Sequence, residues 1–343
     1  MRRVLVTGAT GGLGRSAVDA LLGQGAAVVA TGRNAAVGRV LSGQGAQFVP
    51  LDLVLASPAD WQQLLVGVDV VWHCAALSSP WGRAADFVAA NVVVTERLLA
   101  AAGAAGVTRF VHISSPAIYF DYTARWRVTE DSHAPGPTTR HRYANAYART
   151  KAQGEACVVL AVQQHPGMHC TVLRPRAIFG RYDQVLMPRL ARVLALRGGR
   201  LPLPRGGRAV LDITYVDNVV QAMQLASAPD APQRMPSGAA FNITNHQPVV
   251  LRDVLHQLFA QLLGRPCRIQ AVPYPVMLGA AHVLQACAAL TRREPLLTPY
   301  SVGTLAFDMT LCNRKATEVL GYVPAVSVDE GLARTAWRMR HAQ

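Results

Sequence analysis

Val4-Leu5-Val6-Thr7-Gly8-Ala9-Thr10-Gly11-Gly12-Leu13-Gly14 is an apolar run that drops into closely spaced glycines, and an alanine-containing segment follows. It reads as a strand, a tight turn and a helix. Glycines at 8, 11 and 14 let the chain turn sharply, bring its backbone against a pyrophosphate and pack the helix on the strand. The unpaired N–H groups that open the helix then face the phosphates, with Thr10, Gly12 and Leu13 completing the loop. Such a turn also occurs without a ligand, so the residues farther along the chain must supply the rest of a site.

Working outward, residues 26–31 read as a second buried strand ending in Gly32-Arg33-Asn34. An acidic residue about 20 positions beyond the glycines would bind the adenosine ribose of NAD(H), whereas glycine and arginine leave room and positive charge for a 2′-phosphate. Arg33 therefore favours NADP(H), with NAD(H) as the alternative. Residues 47–50 and 68–73 form third and fourth strands, followed by Leu51-Asp52-Leu53 and Cys74-Ala75-Ala76. Strands alternating with helices specify an α/β chain with a Rossmann-type, doubly wound parallel sheet. Their C-terminal ends share one edge, which places Asp52 and Leu53 near an adenine and Ala75 and Ala76 beneath the cofactor. His73, at the end of a buried strand, reads as a packed histidine rather than a catalytic one.

Residues 87–102, with Asn91 inside, are apolar or small on all sides and predict a long packed helix. A fifth strand at 109–113 delivers Ser114 and Ser115 to the same edge. Residues 121–142 are polar and proline-punctuated, predicting a loop over the site. Tyr143 to Lys151 then opens a helix on which Tyr147 and Lys151, four apart, share a face. Of 34 basic residues only Lys151 and Lys315 are lysines. Arginine serves wherever a positive charge merely has to be present, and a compact ammonium fits under a ribose and beside a phenol where a planar guanidinium does not.

Together these motifs resemble the extended short-chain dehydrogenase/reductases: the Gly8-x-x-Gly11-x-x-Gly14 turn, Asp52, His73-Cys74-Ala75-Ala76, Asn91, Ser114-Ser115 and Tyr147-x-x-x-Lys151. Leu173-Arg174-Pro175, Tyr215-Val216-Asp217-Asn218 and Leu320-Gly321-Tyr322-x-Pro324 extend the resemblance over nearly the whole chain. The chain looks most like the 3β-hydroxysteroid dehydrogenase-like branch. Ile113 to Asp121 is particularly similar to bacterial 2-alkyl-3-oxoalkanoate reductases of olefin biosynthesis. Phe120 is a departure, because many sugar-nucleotide enzymes of the extended form have glycine there.

The resemblance implies that Tyr147 donates a proton to a ketone oxygen, that Lys151 favours its phenolate and binds the nicotinamide ribose, and that Ser115 holds the substrate oxygen. It also implies a supporting role for Asn91, a cofactor contact at Pro175, and a homodimer through the helices around 87–102 and 143–162. The expected activity is NADP(H)-dependent hydride transfer between nicotinamide and a bulky hydrophobic ketone or secondary alcohol. The alternatives are an NAD-dependent sugar-nucleotide epimerase or dehydratase, a 3β-hydroxysteroid dehydrogenase, and a silent dinucleotide sensor.

Length and composition bound these readings. The 343 residues are 51% hydrophobic and 16% charged, which suits a well-buried core. Residues 1–180 are expected to form the dinucleotide-binding domain, and 181–343 a smaller substrate lobe with segments returning to it. Within the lobe, helices are expected at 183–196 and 251–263 and a strand at 210–214. An apolar segment runs from 274 onward, and its Met, Leu and Ala residues between 276 and 290 read as mostly core, buried or interfacial. Arg83, Arg140, Arg142 and Arg176 are candidates to hold a substrate carboxylate.

Six scattered cysteines lack zinc-site spacing and predict free thiols and no metal. The first strand follows Met1 too closely for a secretion signal, so a cytoplasmic protein is expected. A net charge of +14 suggests an acidic protein partner or a membrane surface. The arginines are too dispersed for a nucleic-acid reader.

Overall fold

Alternation along the first strand sets the layers. In β1 (Arg3–Thr7), Val4 and Val6 join one apolar cluster while Leu5 joins another, because successive side chains of a strand point to opposite faces. The same division repeats in β2 (Ala27–Gly32), β4 (Val70–His73) and β5 (Arg109–Ile113), so both faces of the sheet are buried. The structure, a computed structural model, describes residues 3–133, 143–184, 190, 193, 199–264, 267–291 and 293–341.

Seven parallel strands form the main sheet in the order β12-β7-β5-β4-β1-β2-β3, with β3 at Gln47–Pro50, β7 at His169–Pro175 and β12 at Ala239–Ile243. Helices α1 (Gly12–Gly23), α2 (Ala35–Gly43), α3 (Pro58–Leu64), α4 (Ala84–Ala104) and α5 (Ala146–Gln164) are the crossovers of a Rossmann-type fold. From the second half, α6 (Val216–Ala226) and β12 return to this sheet. Val219 and Met223 of α6 pack with Phe241 of β12 on the cluster that holds Val4 and Val6. On the opposite face Leu98 and Leu99 of α4 meet Leu5, Val71 and Phe110.

Three expectations change. The predicted strand at 210–214 is two strands, β10 (Val210–Leu211) and β11 (Thr214–Tyr215), which pair in different sheets. The break falls at Asp212, whose carboxylate accepts the Leu311 N–H at 2.6 Å and turns the chain from one sheet to the other. The segment 121–142 is not all loop. It contains β6 (Arg125–Val128) and a 3₁₀ turn at Glu130–His133, and β6 pairs with β15 (Met309–Leu311), a partner too distant in sequence to be foreseen. Third, α9 (Tyr274–Thr291) follows α7 (Ala231–Arg234) and α8 (Leu251–Leu263) but is mostly exposed. Only Met277, Ala281 and Ala288 of α9 are buried, and Met277 and Ala281 pack with Val302 of α10 (Pro299–Ala306). The expected helix at 183–196, and Arg140 and Arg142, lie largely outside the described residues. All six cysteines are free thiols.

Candidate active site

The glycine turn builds the first part of the site. Helix α1 begins at Gly12 with Gly11 as N-cap and no side chain on its free N–H groups, which leaves them to a ligand. Gly8 has φ +64°, and a Cβ there would lie 2.8 Å from the Ala75 backbone, so the turn is pressed against the end of β4. A Cβ on Gly14 would lie 2.2 Å from the Gly8 carbonyl oxygen. Neither position has room for a side chain against the neighbouring backbone, so the turn can be this tight only with glycine, and the uncapped N–H groups it presents fit a dinucleotide. Residues 180–184 strap this turn from outside, unforeseen in the sequence. The Gln184 side-chain amide donates to the Thr10 carbonyl at 3.3 Å, and Arg181 reaches Asp19 at 3.4 Å and Asp217 at 3.1 Å.

At the ends of β2 and β3, Asn34 caps α2 by accepting from Ala36 and Val37, and is thereby occupied. Arg33 is exposed and stands 3.9 Å from Asp52, a loose pair that leaves its guanidinium free to swing toward a phosphate. Arg33→Ala is expected to raise the KM for NADPH about tenfold and leave that for NADH unchanged, since a charge-assisted hydrogen bond is lost only with the phosphate. Initial rates with both cofactors test this. Leu53 is buried behind Asp52, while Ala75 and Ala76 line the β4 end.

Strand β5 and helix α5 bring the catalytic candidates to the same edge. Asn145 caps α5 through Ala148 N–H at 2.8 Å and so sets where its first turn begins. Tyr147 and Lys151 then project from one face. Lys151 is 2% exposed, and its Nζ donates to the Ile113 carbonyl at 2.6 Å. Burial pulls its ammonium down to about 8, opposed by Glu155 and Cys74. Below that pH Lys151 is charged and favours phenolate on a neighbouring tyrosine; above it the charge is lost. Turnover is therefore expected to fall above about pH 8. A pH profile of kcat that stays flat well beyond this value would contradict the role.

The two serines separate cleanly. Ser114 Oγ donates to Glu155, whereas among the described residues Ser115 Oγ only accepts, from Ala117 N–H at 3.2 Å. The Ser115 hydroxyl proton thus has no acceptor among these residues. Glu155 is held by Arg174, whose Nε and Nη2 donate at 2.9 and 2.5 Å, and Arg174 also donates to the Tyr119 hydroxyl. This buried network ties Ser114, beside Ser115, to Glu155, which lies within electrostatic reach of Lys151.

His73 is structural. Thr95 donates its hydroxyl to the Asn91 carbonyl at 2.8 Å, so His73 Nε2 must be the donor to Thr95 at 3.1 Å, and Nδ1 accepts from Thr7 at 2.8 Å. Burial, aided by Lys151, pulls His73 down to about 3, which keeps it neutral. Asn91 lies in a π turn at Ala89–Val93 within α4. Its side chain accepts from Leu77 N–H at 2.7 Å and donates to Thr150 at 3.1 Å, tying the β4 loop to the residue beside Lys151. These bonds make Asn91 a candidate positioning residue. Pro175 ends β7, paired with Ile243.

The outer wall draws on both halves of the chain. Phe120 packs against Tyr122 with the rings tilted and 5.0 Å apart, and meets the Tyr300 ring edge-on at 5.7 Å. Tyr300, at the start of α10, lies within electrostatic reach of Tyr147 and Arg176. Arg176 is only 9% exposed, its Nε has no hydrogen-bond partner, and no ion pair reaches its guanidinium among the described residues. Burial lowers its proton affinity, partly offset by Tyr300 and Asp212. Arg83, by contrast, is exposed. Sequence reading named Arg176 as one of four arginines, but Tyr300, Asp212 and Glu155 carried no local signal.

The model of the NAD dependent epimerase/dehydratase family matches residues 4–244. The chain is 43% identical to an Escherichia coli (strain K12) protein described as uncharacterized protein YbjS, over 99% of both chains. It is 34% identical to a 4-hydroxy-2-methyl-3-oxo-4-farnesyl-3,4-dihydroquinoline-1-oxide ketoreductase of Stigmatella aurantiaca, over 96% of this chain and 94% of that one. A 2-alkyl-3-oxoalkanoate reductase of Stenotrophomonas maltophilia is 32% identical over 97% and 98%. Among solved structures, MoeE5 in complex with UDP-glucose and NAD matches with a TM-score of 0.76 at 25% identity, over 99% of each chain.

Proposed function

The chain belongs to the NAD dependent epimerase/dehydratase family, the extended short-chain dehydrogenase/reductases, and within it we propose an NADP(H)-dependent reductase of a bulky hydrophobic ketone that carries a carboxylate, such as a 2-alkyl-3-oxo acid. Family membership makes it an NAD(P)-dependent enzyme acting at CH–OH or C=O. The observation that carries the finer reading is Arg176, a buried guanidinium without an ion-pair partner among the described residues that shares Tyr300 as a neighbour with Tyr147. A protein retains a desolvated cation where a ligand anion pairs with it, because a permanently unpaired one only costs stability.

The glycine turn, Arg33, Asp52 and Lys151 would hold the dinucleotide, which when bound supplies the hydride. Ser115 donates a hydrogen bond to the ketone oxygen and Tyr147 delivers its proton there. Lys151 stabilises the phenolate left behind, Arg176 takes the carboxylate as a two-pronged donor, and Phe120, Tyr122 and Tyr300 face the apolar part. Exposed Val159 and Leu160 on α5 support a homodimer through α4 and α5, and the setting we propose is cytoplasmic.

An NADPH-consumption screen of 2-alkyl-3-oxo acids, their neutral esters, sterol ketones and UDP-sugars tests the assignment. Fast turnover is expected for the acids and little for the esters. Turnover of a UDP-sugar with tightly bound NAD and no added cofactor would replace it with the epimerase reading, towards which the likeness to MoeE5 points.

A further inference from the structure

Helix α9 of the substrate lobe is apolar and mostly exposed. Its buried residues Met277, Ala281 and Ala288 fall on one face at helical spacing. Val276, Val283 and Leu290, seven residues apart, form a second stripe on the far side, exposed by 63%, 64% and 86%. Gly279, Ala280, Ala286 and Cys287, all exposed, fill the space around it. The 18-residue helix carries no Asp, Glu, Lys or Arg. An apolar stripe of this length turned to water is a docking surface.

We propose that α9 seats the substrate lobe on an anionic lipid bilayer, lying in the interface with the Val276-Val283-Leu290 stripe inserted among the acyl chains. Charge selects the occupant. Residues 254–293 contain four arginines, Arg265, Arg268, Arg292 and Arg293, and no acidic residue. Near the start of the helix, Arg205, Arg208 and Arg252 line a cleft with Val272 and Pro273. Of its two acids, Asp253 is paired with Arg252 and Asp308 accepts the Val210 N–H. Arg293 at its end, beside the single acid Glu294, and Arg205, Arg208 and Arg268 on the side of its start give the uncharged helix positive flanks that match a bilayer with negative headgroups. A two-fold contact with a second copy would instead set these arginines against their like.

The position of α9 links the surface to chemistry. Tyr274, its first residue, meets Phe307 edge-on at 5.2 Å and lies within electrostatic reach of Tyr122, whose ring packs tilted against Phe120 beside Tyr300. A bilayer held against α9 thus abuts the aromatic wall of the site, where a water-insoluble ketone would enter. The docking itself does not depend on the substrate being an oxo acid.

Cosedimentation of the full-length protein with phosphatidylcholine vesicles, with and without phosphatidylglycerol, tests this. Binding is expected with phosphatidylglycerol, weakened by salt, and lowered at least about tenfold in a Val283→Asp, Leu290→Asp double variant. Leu290→Ser, at the most exposed position, gives a milder check, and unchanged NADPH affinity in both variants reports that the fold is intact. The proposal is overturned if the wild type stays in the supernatant at low salt, if the double variant sediments like the wild type, or if light scattering shows that the stripe substitutions dissolve a dimer without affecting vesicle binding.

Discussion

Replacing Tyr147 with phenylalanine is expected to lower ketone turnover by about 10²–10⁴, the usual contribution of a positioned general acid. NADPH affinity should stay close to that of the wild type. The hydroxyl is the only group lost, and the dinucleotide cradle lies at the glycine turn, against Ala75, and at Arg33. Lys151 remains anchored to the Ile113 carbonyl, so the variant should fold and bind normally. Fluorescence titration with NADPH beside single-turnover kinetics separates the two effects. Wild-type-like turnover would remove Tyr147 from the mechanism and leave Ser115 and Lys151 without a proton donor between them.

Replacing Arg176 should divide substrates by charge. A hydrogen bond to a charged group contributes about 1.5–3 kcal/mol, so Arg176→Gln is expected to raise KM for a 2-alkyl-3-oxo acid by about 10–100-fold. Neutral ester analogues should be unaffected, and Arg176→Lys should recover part of the loss because a point charge replaces the planar fork. The guanidinium lacks an ion-pair partner among the described residues and burial disfavours its charge, so Tm should hold or rise in Arg176→Gln. A lower Tm with equal losses on acid and ester would instead make Arg176 a structural cation for Asp212.

These two predictions rest on different kinds of information. Tyr147 and Lys151 stand four apart on one helix, and scarce lysine usage marks the second of them, so the pair was legible as a string of residues. The glycine turn was legible for the same reason, since its conformation is determined within a few residues. Arg176 was named only among four arginines. What separates it from exposed Arg83 is burial beside Tyr300, which lies more than a hundred residues later in the chain.

Helix α9 shows the converse. Its composition reads as core, yet most of its apolar side chains face outward, because only three positions along it are buried. Local sequence states that a side chain would leave water if it could; whether another element is present to receive it is a tertiary fact. The split at Asp212 has the same cause, since the Leu311 N–H that turns the chain there is supplied by β15.

By itself, then, the sequence determined the parallel αβ order, the dinucleotide turn and the tyrosine–lysine face, because each depends on periodicity or on residues within one turn of each other. Only the tertiary structure decided which serine keeps a free proton, which arginine is desolvated and which apolar helix remains exposed. Those properties depend on partners that folding brings together from distant parts of the chain.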